Sequence, residues 1–244
     1  MTGLLLFDLD GTLYDQACGY EEEIHANIFR FMVQAKGGKF DAIHSIDDAR
    51  RIWQPIFAKY NLTKRGLIGE GYSFDLNEYD RFIRQGASKF IKPDLELRRF
   101  LESLPTSRRK VIFTNAPEAS AHEILGLLGV ADLFECVFGT EFLGNGVCKP
   151  ERAAFDKVLD YLRVPPQSVC YFEDSFKNLL AGKKLGMQTV FVCSSTLANE
   201  GRTTGELHLF DAVLQGKVGM ELRDLLPSLW EGSSIDTDTR VTAK

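Results

Sequence analysis

The sequence has no long hydrophobic run, no Cys-x-x-Cys pair, no clustered histidines and no basic excess. Its apolar opening, residues 1–7, carries no positive charge ahead of it and meets Asp8 within a few residues. That stretch is too short for a signal-peptide core or a membrane span. Five cysteines, Cys18, Cys136, Cys148, Cys170 and Cys193, lie scattered and odd in number. They argue against a disulfide framework and predict reduced thiols in or near a core, as in a cytoplasmic protein without a membrane partner. The four histidines, His25, His44, His122 and His208, form neither an HExxH nor a Cys/His pattern, so they read as surface or core residues rather than zinc ligands. Lys and Arg number 29 against 34 Asp and Glu, a net charge of −5 that offers no footprint for duplex nucleic acid.

What is present is ordinary for a globular protein: 44% hydrophobic, 11% aromatic and 26% charged residues. That balance excludes collagen-like, low-complexity and wholly disordered chains. The length of 244 residues suits one elaborated domain or a core with an insertion. Short apolar runs at residues 4–7, 111–113, 169–172 and 189–192, rich in Val, Ile and Phe, predict strands buried on both faces of a parallel sheet. Between them, Leu97/Phe100/Leu101/Leu104, Ala121/Ile124/Leu125/Leu128 and Phe155/Val158/Leu159/Leu162 recur at helical spacing. The second of these helices is expected to start at a capping box, Ser120 to Glu123, and the third at Pro150 and Glu151. Strand and helix in alternation predict an α/β, doubly wound, Rossmann-like parallel sheet.

The stretch from 16 to 91 breaks the alternation. It holds two helical periods, Ile24/Ile28/Phe31/Met32 and Trp53/Ile56/Phe57/Tyr60, and no buried strand, so an all-helical insertion follows the first strand. The run Glu21-Glu22-Glu23 reads as a solvated first turn favoured by the helix dipole. Residues 232–244, rich in Ser, Thr and Asp, are expected to form a disordered tail. The chain thus divides into a core of 1–15 and 92–231, an insertion of 16–91 and that tail.

Chemistry gathers at the strand ends. Asp8 and Asp10 are two apart at the close of the first strand and emerge on the same side. Two carboxylates so close repel and lose solvation, so the pair points to a metal or a catalytic role. Gly11 permits a sharp turn and Thr12 is placed to tie it down. Thr114 and Asn115 end the second strand, where a hydroxyl and backbone N–H groups suit phosphate oxygens. Lys149 precedes a helix start, an unfavourable place for a cation unless it serves an anion. Glu173 and Asp174 close the third predicted strand, a second acidic pair. Carboxylates converging with a lysine where open α/β sheets bind ligands make an oxygen-ligand site for Mg²⁺.

Asp8-x-Asp10-Gly11-Thr12, Thr114, Lys149 and Glu173-Asp174, in that order, resemble the motifs of the haloacid dehalogenase-like phosphatases. The insertion is similar to the all-α cap domain of the branch with a helical lid. Residues 59–67 (Lys-Tyr-Asn-Leu-Thr-Lys-Arg-Gly-Leu), 112–116 (Ile-Phe-Thr-Asn-Ala), Glu173-Asp174-Ser175-x-x-Asn178 and 225–230 (Leu-Leu-Pro-Ser-Leu-Trp) further resemble the pyrimidine 5′-nucleotidase branch. Two positions depart from that branch: Glu173 stands where an Asp is common, and Ser120 where a histidine is, with His122 offset. Glu173-Asp174 equally suits sugar-phosphate phosphatases and mutases.

The resemblance implies an aspartyl-phosphate route, with Asp8 as nucleophile and Asp10 as acid and base. Mg²⁺ would be held by Asp8, the Asp10 carbonyl, Glu173 and Asp174, and phosphate by Thr114, Asn115 and Lys149. Asp10 argues against a dehalogenase, whose halide leaving group needs no acid. The expected substrate is a small phosphorylated metabolite, a pyrimidine nucleoside 5′-monophosphate first, with a sugar phosphate or phosphoglycolate as the alternative. A catalytically silent binding protein on the same fold is the reading from another class. Lys64 and Arg65 are candidate substrate contacts in the cap, and Tyr72 or Phe74 candidates to stack a base. The sequon at Asn61 is taken as chance, and the oligomeric state stays open.

Overall fold

A computed structural model describes residues 3–144, 146–193 and 204–231 of the chain. Six strands, β1 (Leu4–Phe7), β2 (Arg109–Phe113), β3 (Cys136–Phe138), β4 (Val169–Glu173), β5 (Gln188–Cys193) and β6 (Ala212–Gln215), form one sheet in the order β3-β2-β1-β4-β5-β6. Every neighbouring pair is parallel, so each return to the start of the sheet needs a crossover, and helices supply most of them. The helices are α1 (Tyr20–Gln34), α2 (Ile46–Tyr60), α3 (Thr63–Gly69), α4 (Leu76–Arg84), α5 (Ala87–Phe90), α6 (Leu95–Ser103), α7 (Glu118–Leu128), α8 (Thr140–Leu143), α9 (Arg152–Leu162), α10 (Phe176–Lys184) and α11 (Leu222–Leu225). The architecture is α/β, a doubly wound parallel sheet with α1 to α5 inserted after β1 as an all-helical cap.

All four residues of β1 are at most 1% exposed, because both faces of the strand are covered. Leu5 and Phe7 join the apolar cluster that continues into the cap helices, whereas Leu4 and Leu6 join the cluster of Phe155 and Val158 on α9. Each such burial contributes roughly 1.5–3 kcal/mol. Phe7 also stacks on Phe172 of β4, ring centroids 4.3 Å apart. The edge strands β3 and β6 are only three and four residues long, Cys-Val-Phe and Ala-Val-Leu-Gln. Each is half-exposed along part of its length, so neither shows in the sequence pattern.

The cap has its own aromatic core. Phe31 of α1 packs edge-on against Phe40, Phe74, Tyr79 and Phe82, centroids 5.0–6.1 Å apart. Helix α2 opens on a reciprocal cap, Ser45 Oγ accepting from Asp48 N (3.1 Å) and donating to Asp48 Oδ2 (2.8 Å). It ends at Asn61 in the left-handed region, φ 56°, a conformation Asn tolerates better than most residues.

Three expectations need correction. Helix α7 starts at Glu118 after Pro117, so Ser120 and Glu123 lie inside it and do not cap it. Glu118 instead accepts the N–H groups of Gly139, Glu141 and Phe142 at 2.8–2.9 Å, tying α7 to the start of α8. The Glu21-Glu22-Glu23 run is not uniformly solvated: Glu22 is exposed, but Glu21 is half-buried and faces the site described below. The Thr12 hydroxyl is buried without a hydrogen-bond partner among the described residues, so it does not tie down the turn after Asp10.

The tail expected at 232–244 lies outside the described residues. None of the five cysteines is joined in a disulfide; three are buried and two half-buried. Among the described residues no helix is long and apolar enough to cross a membrane.

Strand order sets the place of the site. The chain leaves β1 for β2 and β3 on one side, then returns to β4 on the other. The crevice between diverging crossovers opens at the C-terminal ends of the strands. In register, Phe7 sits beside Ile112 and Phe172, so the next residue, Asp8, emerges between Phe113 and Glu173.

Candidate active site

Lys149 is the pivot of the crevice. It is 1% exposed, and its ammonium spends three donors on Asp8 Oδ1 (2.6 Å), Glu173 Oε2 (2.7 Å) and the Phe113 carbonyl (2.8 Å). An ammonium buried this deeply is tolerable only with such partners. Its backbone is clamped by Asn115, whose Oδ1 accepts from Lys149 N (2.9 Å) and whose Nδ2 donates to Lys149 O (3.1 Å). Asn61, at the end of α2, donates to the same carbonyl at 2.9 Å.

Glu173 is fully buried and accepts also from the Tyr171 hydroxyl and from Ser175 N (3.1 Å). Tyr171 and Glu173 are two apart on β4 and therefore share a face. Asp174, half-buried, accepts from Gln16 Nε2 at 2.6 Å. Gly11 turns the chain at φ 73°, and a β-carbon there would collide with the Asp174 carboxylate. Glycine at that position is needed for both conformation and room.

Asp8, Glu173 and Asp174 each offer an oxygen within 4.8 Å of the others. One lysine faces three carboxylates, and the excess shows in their proton affinity. Burial, with the Glu173 charge adding and Lys149 opposing, pushes Asp8 up to about 8. Burial and the charges of Glu173 and Asp8 drive Asp174 well above the usual carboxylate range. Lys149 moves the other way from an ordinary buried amine: Asp8 and Glu173 outweigh its desolvation and raise it. Three convergent hard oxygens in charge deficit fit a divalent cation such as Mg²⁺.

Asp10 points elsewhere. Both its oxygens are held by Arg84 from α4, at 2.9 and 2.6 Å, and the Tyr14 hydroxyl donates to Oδ1 at 2.6 Å. Burial alone would raise this carboxyl, yet Arg84 and Tyr14 hold it below the usual range. Its side chain lies outside the three-carboxylate group, so only its backbone carbonyl remains to serve a metal there. Thr114, 1% exposed, accepts from Ala116 N at 3.0 Å, which leaves its hydroxyl proton for an acceptor in the crevice.

Core and cap enclose a cavity of about 370 Å³ lined by Asp8, Asp10, Thr114, Asn115, Lys149, Glu173 and Asp174. Of the cap candidates, Lys64 lines it and pairs with Asp80 (2.6 Å). Arg65 does not: its guanidinium bonds Glu151 and approaches Cys148 Sγ at 3.5 Å, so it bridges cap and core. Tyr72 and Phe74 do not line it either, because both pack against Phe40 in the aromatic core of the cap.

Arg84, Tyr14, Gln16, Tyr171, Glu21, Asp80 and Thr140 were missed by sequence reasoning. Tyr14 and Tyr171 stand four and two residues from Asp10 and Glu173, a spacing that could have flagged them. For Arg84 no such signal exists, since it meets Asp10 from 74 positions away.

The family model for haloacid dehalogenase-like hydrolases matches residues 2–186. Phosphate metabolism protein 8 of Saccharomyces cerevisiae is 24% identical over 75% of this chain and 59% of its own length, so the chain spans less than two thirds of that relative. A phosphorylated carbohydrates phosphatase of Thermotoga maritima is 25% identical over 81% of this chain and 88% of its own. A phosphoglycolate phosphatase of Psychrobacter arcticus is 28% identical over 77% and 81%. Among solved structures, a haloacid dehalogenase-like phosphatase of Thermococcus onnurineus superposes with TM-score 0.63 at 20% identity, covering 93% of this chain and 98% of that one. A magnesium-bound hydrolase of the same fold from Bacillus subtilis gives 0.57 at 18%, covering 93% and 98%. In this chain the three-carboxylate group of Asp8, Glu173 and Asp174 is the place where a divalent cation would fit. With the family model spanning most of the sequence and the ordered acidic motifs meeting at the strand ends, the chain belongs to the haloacid dehalogenase-like hydrolases.

Proposed function

We propose that this phosphatase hydrolyses a small phosphomonoester through an aspartyl-phosphate on Asp8, with residues 16–91 as a cap over a catalytic core of 1–15 and 92–231. The observation that carries the reading is the buried Lys149 shared by Asp8 and Glu173, with Asp174 beside them and Asp10 two residues on.

Asp8 Oδ attacks phosphorus, and the bond from phosphorus to the leaving oxygen breaks, splitting one hard displacement into two easier ones. Asp10 gives its proton to the departing alkoxide, then takes one from the water that cleaves the aspartyl-phosphate. Its ion pair with Arg84 is the ionised resting form, and a phosphate dianion entering beside it favours the protonated one. Thr114 donates to an equatorial oxygen, where charge spreads, and Lys149 contributes its positive charge beside it while its three donors stay on Asp8, Glu173 and the Phe113 carbonyl. Asn115 acts on Lys149: its side chain is spent on that residue's backbone and leaves the backbone N–H for phosphate. Bound by Asp8, the Asp10 carbonyl, Glu173 and Asp174, Mg²⁺ would supply neutralisation of nucleophile and phosphate. Glu173 also fixes Lys149 from behind.

The substrate we favour is a phosphorylated carbohydrate rather than a nucleotide. Tyr72 and Phe74, the candidates to stack a base, are absorbed by the cap core, and one relative is named for phosphorylated carbohydrates. Phosphate release from a panel of hexose phosphates, phosphoglycolate, UMP, CMP and AMP with Mg²⁺ tests the substrate. Mass spectrometry of acid-quenched enzyme tests the route, expecting one phosphoryl group on the peptide that holds Asp8. A modification on any other residue sinks the nucleophile assignment.

A further inference from the structure

Two cations reach the cavity from the cap, and each already has a carboxylate. Asp80 and Arg84 are one turn apart on α4 and share a face. Arg84 reaches Asp10, whereas Asp80 Oδ2 takes Lys64 Nζ of α3 at 2.6 Å, the two side chains 8% and 17% exposed. Stability alone does not require this second pair, since apolar residues of similar volume serve a buried position as well. Both residues line the cavity. Glu21 and His25 line the same cavity, where burial pushes Glu21 up to about 7 and lowers His25. The Thr140 hydroxyl, 3% exposed and lining the same cavity, has no partner among the described residues and is free to meet a ligand hydroxyl.

We infer that the Lys64–Asp80 pair is the specificity-determining element for the leaving group: a donor and an acceptor of cancelling charge that take adjacent hydroxyls of a neutral polyol, with Asp80 keeping Lys64 from receiving a carboxylate or second phosphate. The inference rests on the phosphatase reading above. An ammonium and a carboxylate side by side bond hydroxyls from either partner, while an anionic leaving group meets attraction and repulsion together. Deleting the acceptor leaves a buried, unmatched ammonium and converts the wall into an anion site.

The test compares wild type, Asp80→Asn, Lys64→Met and the double variant, with Mg²⁺, on glucose 6-phosphate, 2-phosphoglycolate, UMP and p-nitrophenyl phosphate. Wild type is expected to prefer the hexose phosphate over phosphoglycolate and UMP. Asp80→Asn should raise the kcat/KM ratio of phosphoglycolate to hexose phosphate about tenfold or more, mainly through KM. Lys64→Met should lose hexose phosphate activity without gaining phosphoglycolate, and the double variant should return the ratio toward that of wild type. A ratio unmoved in Asp80→Asn, or moved toward the hexose phosphate, overturns the inference. So does wild-type preference for UMP or phosphoglycolate, and both results leave the phosphatase reading standing. Should Asp80→Asn fail to fold, the wild-type preference and Lys64→Met decide alone. No hydrolysis of any of the four by wild type overturns the phosphatase reading itself.

Discussion

The two walls of the cavity handle charge in opposite ways. On the core wall one ammonium, Lys149, faces Asp8, Glu173 and Asp174, and the deficit forces two of those carboxyls upward in pKa. On the cap wall Lys64 and Arg84 each meet one carboxylate. A wall short of positive charge is built to receive a cation and, with it, a phosphate. A wall already balanced is built to receive something neutral, or to let go.

Breaking the core wall should cost most. Asp8→Asn removes the nucleophile with little change of shape, so kcat should fall roughly 10⁴-fold or more while the melting curve stays close to wild type. Retained turnover in steady-state assays would end the assignment. Lys149→Met leaves a buried carboxylate group without the cation that pairs with it, a loss of about 3–5 kcal/mol in metal-free urea titrations. Added Mg²⁺ should recover part of it, because a ligand that binds only the folded form stabilises it. An unchanged midpoint in metal-free buffer would show that the core wall is not in charge deficit.

The cap wall should yield smaller effects. Arg84→Lys keeps the charge but loses the two-pronged hold on Asp10, for an expected drop in kcat/KM of about tenfold. A drop as large as that of Asp8→Asn would place Arg84 among the reacting groups and erase the contrast between the walls.

The smallest effect lies outside both. Burial would raise Glu118, but the N–H groups of Phe142, Glu141 and Gly139 hold it below the usual glutamate range. Its contribution to stability is therefore complete above the unfolded-state value near ~4.3 and is lost as pH falls through the lower folded-state value. Glu118→Gln should lower stability at neutral pH by about 1 kcal/mol and flatten the acid limb of a pH-stability curve.

Much of the core wall was legible in the sequence because its residues sit where a buried strand turns abruptly polar. Phe7 to Asp8, Phe113 to Thr114 and Phe172 to Glu173 each mark such a change within one step, and parallel register then sets Asp8 level with Glu173 and Thr114 one residue beyond them. The cap wall had no comparable sign. Glu21 looked like any acidic first turn, and Asp80 and Arg84 belong to a helix whose exposed and cavity faces are both charged. Tyr72 and Phe74 are aromatic like base-stacking residues, but the small cap needs them to fill its own interior. Strands β3 and β6 escaped notice for a related reason: their three-residue apolar stretches lie at the sheet edges and stay partly exposed, so they read like any short apolar patch.

The carbonyl of Lys149 receives two side-chain amides, Asn115 from the core and Asn61 from the cap. Arg65 of the cap grips Glu151, two residues further along the same segment. If the cap lifts to admit substrate, the Asn61 and Arg65 contacts part, but Asn115 stays with the sheet. Lys149 is thus anchored on the sheet side while its segment also carries the cap contacts, so a shift of the cap would be felt at the residue proposed to stand beside the phosphate.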